Sequence, residues 1–150
     1  MRLAFRIKHH FFSAFRELFV HHHGSLEFRS KIFALVIAAN NNVKVENYII
    51  IKDIGLNIYN GDIDRANLLM LTTKEMVRKV LDNNGLGLDS LVVSIQKELK
   101  IIPRYAQKID IKALRPLLSL THNDDIYHYQ ENILEFLQSL KEETLKMKKN

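Results

Sequence analysis

The chain states one helical pattern twice. Residues 31–54 read KIFALVIAANNNVKVENYIIIKDI, and residues 115–140 read RPLLSLTHNDDIYHYQENILEFLQSL. At an offset of 83 residues Leu35 falls on Leu118, Ile37 on Leu120, Asn40 on Asn123, Val43 on Ile126, Ile50 on Ile133, Ile51 on Leu134 and Ile54 on Leu137. Each copy is an apolar helix, a short polar turn and a second helix that resumes the apolar stripe. A hairpin of two helices cannot bury its stripe alone. Two related hairpins in one chain therefore predict an all-α fold, a single bundle of about seven to eight helices on a pseudo-two-fold plan.

The rest of the chain fits that plan. Leu3, Ile7, Phe11, Phe15, Leu18 and Phe19 recur at helical spacing, so residues 2–20 read as an amphipathic helix ended at His21-His22-His23-Gly24. Ser25 is placed to cap a helix reaching about Ala39, and Asn40-Asn41-Asn42 is the turn. A helix over Lys44–Tyr59 closes at Asn60-Gly61. Asp62 or Asp64 starts a short helix through Met70, and Thr72-Thr73-Lys74-Glu75 has the spacing of a capping box for the next. Asp89 caps a helix holding Leu91, Val92, Ile95 and Leu99, which Pro103 ends. Residues 104–109 read as a helical turn, and Pro116 belongs in a first turn or at a kink. Asp125 caps the last helix, with a stripe of Ile126, Tyr129, Ile133, Phe136, Leu137 and Leu140. Three parts follow: an amphipathic N-terminal helix over residues 1–24, a helical body over 25–140 and a basic helix end over 141–150. That last run stops in charged helical sequence, which looks like a chain cut at a helix exit or one that once continued.

Composition narrows function by exclusion. The 150 residues suffice for one domain with a real core. No cysteine is present, which removes disulfide scaffolds, thiolate zinc sites and cysteine nucleophiles and suits a cytoplasmic protein. The longest apolar run, Ile32–Ala39, has eight residues, well short of the ~20 needed to span a bilayer. The net charge of +5 divides into +3 on residues 1–23 and +2 on residues 141–150, around a body in which 14 basic and 14 acidic side chains cancel. Nucleic-acid domains concentrate positive charge on the folded surface, so no nucleic-acid partner is expected.

Local motifs carry little chemistry. Five of the seven histidines, His9, His10, His21, His22 and His23, crowd the N-terminus without an i,i+4 pair. His122 and His128 flank the second turn six residues apart. Neither group has metal-ligand spacing. Gly85-Leu86-Gly87 lacks the third glycine, strand and lysine of a phosphate loop and reads as a connection between helices. Thr72, Thr73 and Ser90 have no nucleophile context. The first helix admits two readings. Its phenylalanines pack as part of the core with the arginines in water, or they dock on an anionic membrane or a partner.

At the two turns the chain resembles the TerB-like family, the all-α module of tellurite-resistance proteins and of the N-terminal region of DjlA-type DnaJ-like co-chaperones. The carrying residues are Ala38-Ala39-Asn40-Asn41-Asn42-Val43-Lys44-Val45-Glu46 and Leu120-Thr121-His122-Asn123-Asp124-Asp125-Ile126-Tyr127-His128-Tyr129-Gln130-Glu131, within a likeness spanning about residues 25–140. The family's Asp-Gly is missing from both turns, though asparagine tolerates the left-handed backbone that such turns use. Of the family's acidic cluster, Glu46, Asp124, Asp125 and Glu131 remain. A hard cation wants six or more oxygens, so Asn42 and Asp125 are expected to serve as helix caps and no metal, cofactor or catalytic residue is assigned. The resemblance implies a non-enzymatic protein-interaction module, with chaperone machinery as the partner class. The His-Pro-Asp motif of a J domain is absent, since neither Pro103 nor Pro116 follows a histidine. The alternative is a stand-alone TerB-like stress-response protein acting at the inner-membrane surface through the N-terminal helix, or through a weak metal site.

Overall fold

A computed structural model describes residues 24–40, 42–82 and 86–149. The amphipathic segment 2–20 and the five N-terminal histidines lie outside the described residues. Within them every regular element is helical. The elements are α1 (Gly24–Ala38), α2 (Val45–Ile58), α3 (Ile63–Asp82), α4 (Leu86–Ile101), a 3-10 segment (Pro103–Lys108), α5 (Ile111–Leu114), a second 3-10 segment (Arg115–Leu120) and α6 (Asp124–Lys149).

The bundle is organised around α1. Leu26, Phe28 and the whole run from Ile32 to Ala39 are buried, so this half of the helix has no solvent face and must be enclosed. It packs chiefly against α3, and α4, the first 3-10 segment and α6 cover its other sides. Lys31 and Glu98 pair at 2.7 Å and tie α1 to α4. Phe28 stacks on Tyr105, ring centroids 5.3 Å apart. The outer helices contribute single stripes: Ile51 from α2, Leu69, Val77 and Val80 from α3, Ile95 and Leu99 from α4, and Leu134 and Leu137 from α6.

The turn between α2 and α3 follows the sequence closely. Asn60 and Gly61 have φ of 54° and 86°, and Gly61 N–H donates to Leu56 C=O at 2.8 Å, the six-to-one bond of a Schellman ending. Asp62 Oδ1 then accepts from Arg65 N–H at 3.1 Å and starts α3.

Elsewhere the structure corrects the sequence. α3 runs unbroken from Ile63 to Asp82, where two helices were expected. Thr73 is not a cap. Its hydroxyl is buried and donates to Leu69 C=O at 2.7 Å, the route by which a threonine satisfies itself inside a helix. Helix α1 already includes Gly24, so Ser25 sits within its first turn. Asp89 lies in the first turn of α4, which begins at Leu86. The repeat also departs from strict equivalence. Its first arm is α-helical in copy one, but in copy two it is the one-turn α5 continued as a 3-10 segment containing Pro116. Proline has no N–H for an α-helical bond. Buried register nevertheless persists, with Leu35 and Leu118 both 2% exposed and Ile51 and Leu134 at 0% and 1%. Ile50 is only partly buried, so the matched core pair is Ile51 with Leu134.

Gly87 is a packing residue of α4 where a loop glycine was expected. A Cβ there would lie 2.6 Å from Val80 Cα and 2.7 Å from Val80 O. Backbone cannot move aside as a side-chain tip can. Gly87→Ala should therefore destabilise the fold by about 1–3 kcal/mol, the usual range for overpacking, outweighing the helix-propensity gain of about 0.5–1 kcal/mol. Truncating Ile51 to Ala should cost about 2–5 kcal/mol. Denaturant titration checks both, and an unchanged midpoint for Gly87→Ala would refute the close approach of α3 and α4.

Candidate functional site

The two turns of the repeat meet, and a chain of hydrogen bonds joins them. The last carbonyls of a helix have no partner within it. At the end of α1, Ile37 C=O accepts from Asn40 N–H at 3.0 Å. Val36 C=O accepts from the Gln130 side chain, Nε2 to O 3.0 Å, across 94 residues of sequence. Gln130 is 1% exposed on α6. Its Oε1 accepts from the Thr121 hydroxyl at 2.7 Å. Thr121 Oγ1 in turn accepts from Asn40 Nδ2 at 3.3 Å, and Asn40 Oδ1 accepts from Asn42 N–H at 2.9 Å.

The same asparagine geometry recurs in the second turn. Asn123 Oδ1 accepts from Asp125 N–H at 2.9 Å and from Ile126 N–H at 3.2 Å. Asn40 and Asn123, matched by the repeat, thus each bond the amide two residues on. Asn123, rather than Asp125, caps α6. Asn42 does not cap α2 either: there Asn47 Oδ1 accepts from Lys44 N–H at 3.0 Å.

Between the turns lies a cleft of about 380 Å³ lined by Asn40, Asn42, Lys44, Thr121, His122 and Asn123, with Leu120 and Ile126 beneath. Its walls offer amides, a hydroxyl, an ammonium and an imidazole. The Thr121 hydroxyl already donates to Gln130 and accepts from Asn40, so it holds the wall in place. The acidic residues singled out from sequence are dispersed. Glu46, Asp124 and Asp125 are exposed, and Glu131 pairs with Arg115 at 2.9 Å. A hydrogen bond to Glu131, and then its charge, raises the Tyr127 phenol. His122 lines the cleft, while His128 stands edge-on to Tyr127 at 6.1 Å. Among the described residues no three His, Asp or Glu side chains gather as a metal site.

The central residue of this network, Gln130, was not among the sequence candidates. The stripe read for α6 placed Tyr129 and Phe136 inward, but they are 47% and 38% exposed. A signal was available. At the repeat offset Gln130 falls on Asn47, and both carboxamides are buried, at 1% and 4%.

No helix among the described residues is long and apolar enough to cross a membrane. Comparison with protein families, curated proteins and solved structures finds no match to this chain.

Gln130→Leu keeps the bulk but leaves Val36 C=O and the Thr121 hydroxyl without their partner. The expected loss is about 1–3 kcal/mol of stability. A double-mutant cycle with Thr121→Val should show a coupling of at least ~0.5 kcal/mol. Strictly additive losses in urea unfolding would show that the chain does not act as a unit.

Proposed function

We propose that this chain is a non-enzymatic, TerB-like protein-interaction module that takes its partner at the cleft between the two turns. The observation that carries the reading is the hydrogen-bond chain from Val36 through Gln130 and Thr121 to Asn40. It fixes two turns that are far apart in sequence as one rim, and it uses the Thr121 hydroxyl for support. The rim then presents hydrogen-bonding groups on a preorganised frame, which favours recognition because little side-chain freedom is lost on binding. The resemblance of the turns to those of DjlA-type co-chaperones makes cytoplasmic chaperone machinery the first partner class to test. In that reading the J-domain chemistry belongs to another domain or protein.

Site-specific photo-crosslinking tests this. A photoreactive residue replacing His122 or Asn42 should capture a discrete protein, and one replacing Lys97, exposed on α4, should not. Lys44→Glu, which reverses the charge on the rim, should abolish the adduct without shifting the melting temperature. Absence of any adduct at the turns would overturn the interaction reading. If, in addition, deletion of residues 1–23 abolished sedimentation with anionic vesicles, the stand-alone membrane-surface alternative would take its place.

A further inference from the structure

Helix α6 carries more apolar surface than the core takes up. Ile133, Leu134 and Leu137 are buried. Tyr129, Phe136, Leu140 and Met147 follow one another at intervals of seven, four and seven residues, which aligns them along one further face of the helix. Tyr129, Phe136 and Met147 are exposed, Met147 at 79%. Along the end of this face runs a groove of about 450 Å³, walled by Leu140, Thr144 and Met147 on one side and by Gln96, Leu99 and Pro103 on the other. The exposed Glu143 and Lys100 complete its lining. The Thr144 hydroxyl donates to Leu140 C=O at 2.7 Å, so it brings no unsatisfied donor to the wall. Helices α4 and α6 both pack on the first 3-10 segment but not closely on each other, which is what leaves the groove between them.

We propose that the occupant of this groove is residues 2–20 of the same chain, laid alongside α6. The described chain begins next to it. Gly24 starts α1 against Tyr105, where a Cβ would sit 2.8 Å from the Tyr105 hydroxyl oxygen, and Tyr105 belongs to the 3-10 segment whose Pro103 walls the groove. Helix α6 runs antiparallel to α1: Gln130 meets Val36 near the end of α1, and Lys141 reaches Ile109 C=O, beyond the same 3-10 segment, at 2.8 Å. The last turns of α6 therefore lie beside the first turn of α1. His21-His22-His23 spans at most about 10 Å when extended, enough for a turn between helices whose axes lie about 8–10 Å apart. Chain that turns back there runs parallel to α6, with Leu18 and Phe19 toward Leu140 and Met147 and with Phe11 and Phe15 toward Phe136. The lengths agree. The stripe from Leu3 to Phe19 covers about 24 Å of helix, and that from Tyr129 to Met147 about 27 Å. An amphipathic helix in an apolar groove anchors through residues at such spacing, and its basic residues, mainly off the stripe, stay in water. So short a tether sets an effective concentration on the order of millimolar, which favours this occupant over a second copy at micromolar protein. The groove lies apart from the cleft between the turns, so the function proposed for that cleft does not depend on it.

The chain has no cysteine, so a disulfide trap in the full chain reads out cleanly. Leu18→Cys combined with Thr144→Cys should close within a monomer on oxidation. Leu18→Cys combined with Val45→Cys, on an exposed position of α2, should stay reduced. Limited trypsin digestion gives a second, independent readout. Met147 is exposed, so Met147→Asp leaves the bundle itself folded while placing a charge in the groove. Cleavage after Arg6 and Arg16 should then speed up about tenfold or more, since cleavage follows the undocked population and burial of one large apolar side chain is lost. Cleavage after Lys97 on α4 should keep its wild-type rate. Covalent dimers in place of the closed monomer would overturn the proposal and mark a second copy as the occupant. Equal cleavage rates after Arg16 in wild type and Met147→Asp would overturn it as well, and sedimentation of the wild-type chain with phosphatidylserine vesicles would then assign the segment to a membrane.

Discussion

Everything in this fold answers to one constraint: the C-terminal half of α1 has no polar face. From Ile32 to Ala39 every residue is buried. Such a helix is unstable until neighbours cover it on all sides, because each exposed apolar side chain forgoes about 1.5–3 kcal/mol of burial. That explains why elements distant in sequence converge on it, and why the outer helices can be ordinary amphipathic ones. It also explains where polar side chains on α1 are tolerated. Glu27, Arg29 and Lys31 all lie in its first half, none of them fully buried.

Sealing the end of a helix creates a second demand. Carbonyls that would bond to water at an exposed terminus must find partners in protein, and an unsatisfied one costs roughly 1–3 kcal/mol. Gln130 supplies that partner to Val36 from α6. Its own oxygen is then satisfied by Thr121, and Thr121 by Asn40. The polar chain is thus a consequence of burying α1, and the shape of the cleft is a consequence of the polar chain. A site built this way inherits the rigidity of the core beneath it.

Much of this was legible in the sequence, because local physics and the fold agree there. The apolar periodicity gave helices, Asn60-Gly61 gave the turn, and the register at offset 83 gave buried pairs such as Leu35 with Leu118. The misreadings share a cause: in each, tertiary context overrides a local signal. Thr72-Thr73 resembles a helix start until a carbonyl four residues back takes the Thr73 hydroxyl. Gly87 resembles a loop glycine until α3 comes within backbone contact of it. Pro116 converts an expected α-helix into 3-10 turns without moving Leu118 out of the core. Gln130 escaped notice because a buried carboxamide on an apolar stripe reads as a polar break. Its partner lies in another helix, where no local pattern can point.

The comparison of Asn47 with Gln130 shows how a repeated plan comes to carry an asymmetric site. Both occupy the same register position and both are buried. Asparagine is one methylene shorter, and it closes its own turn at Lys44. Glutamine has the extra reach to cross to α1. The symmetry of the scaffold therefore ends where side-chain length begins to differ, and the cleft falls on the side that the longer residue holds.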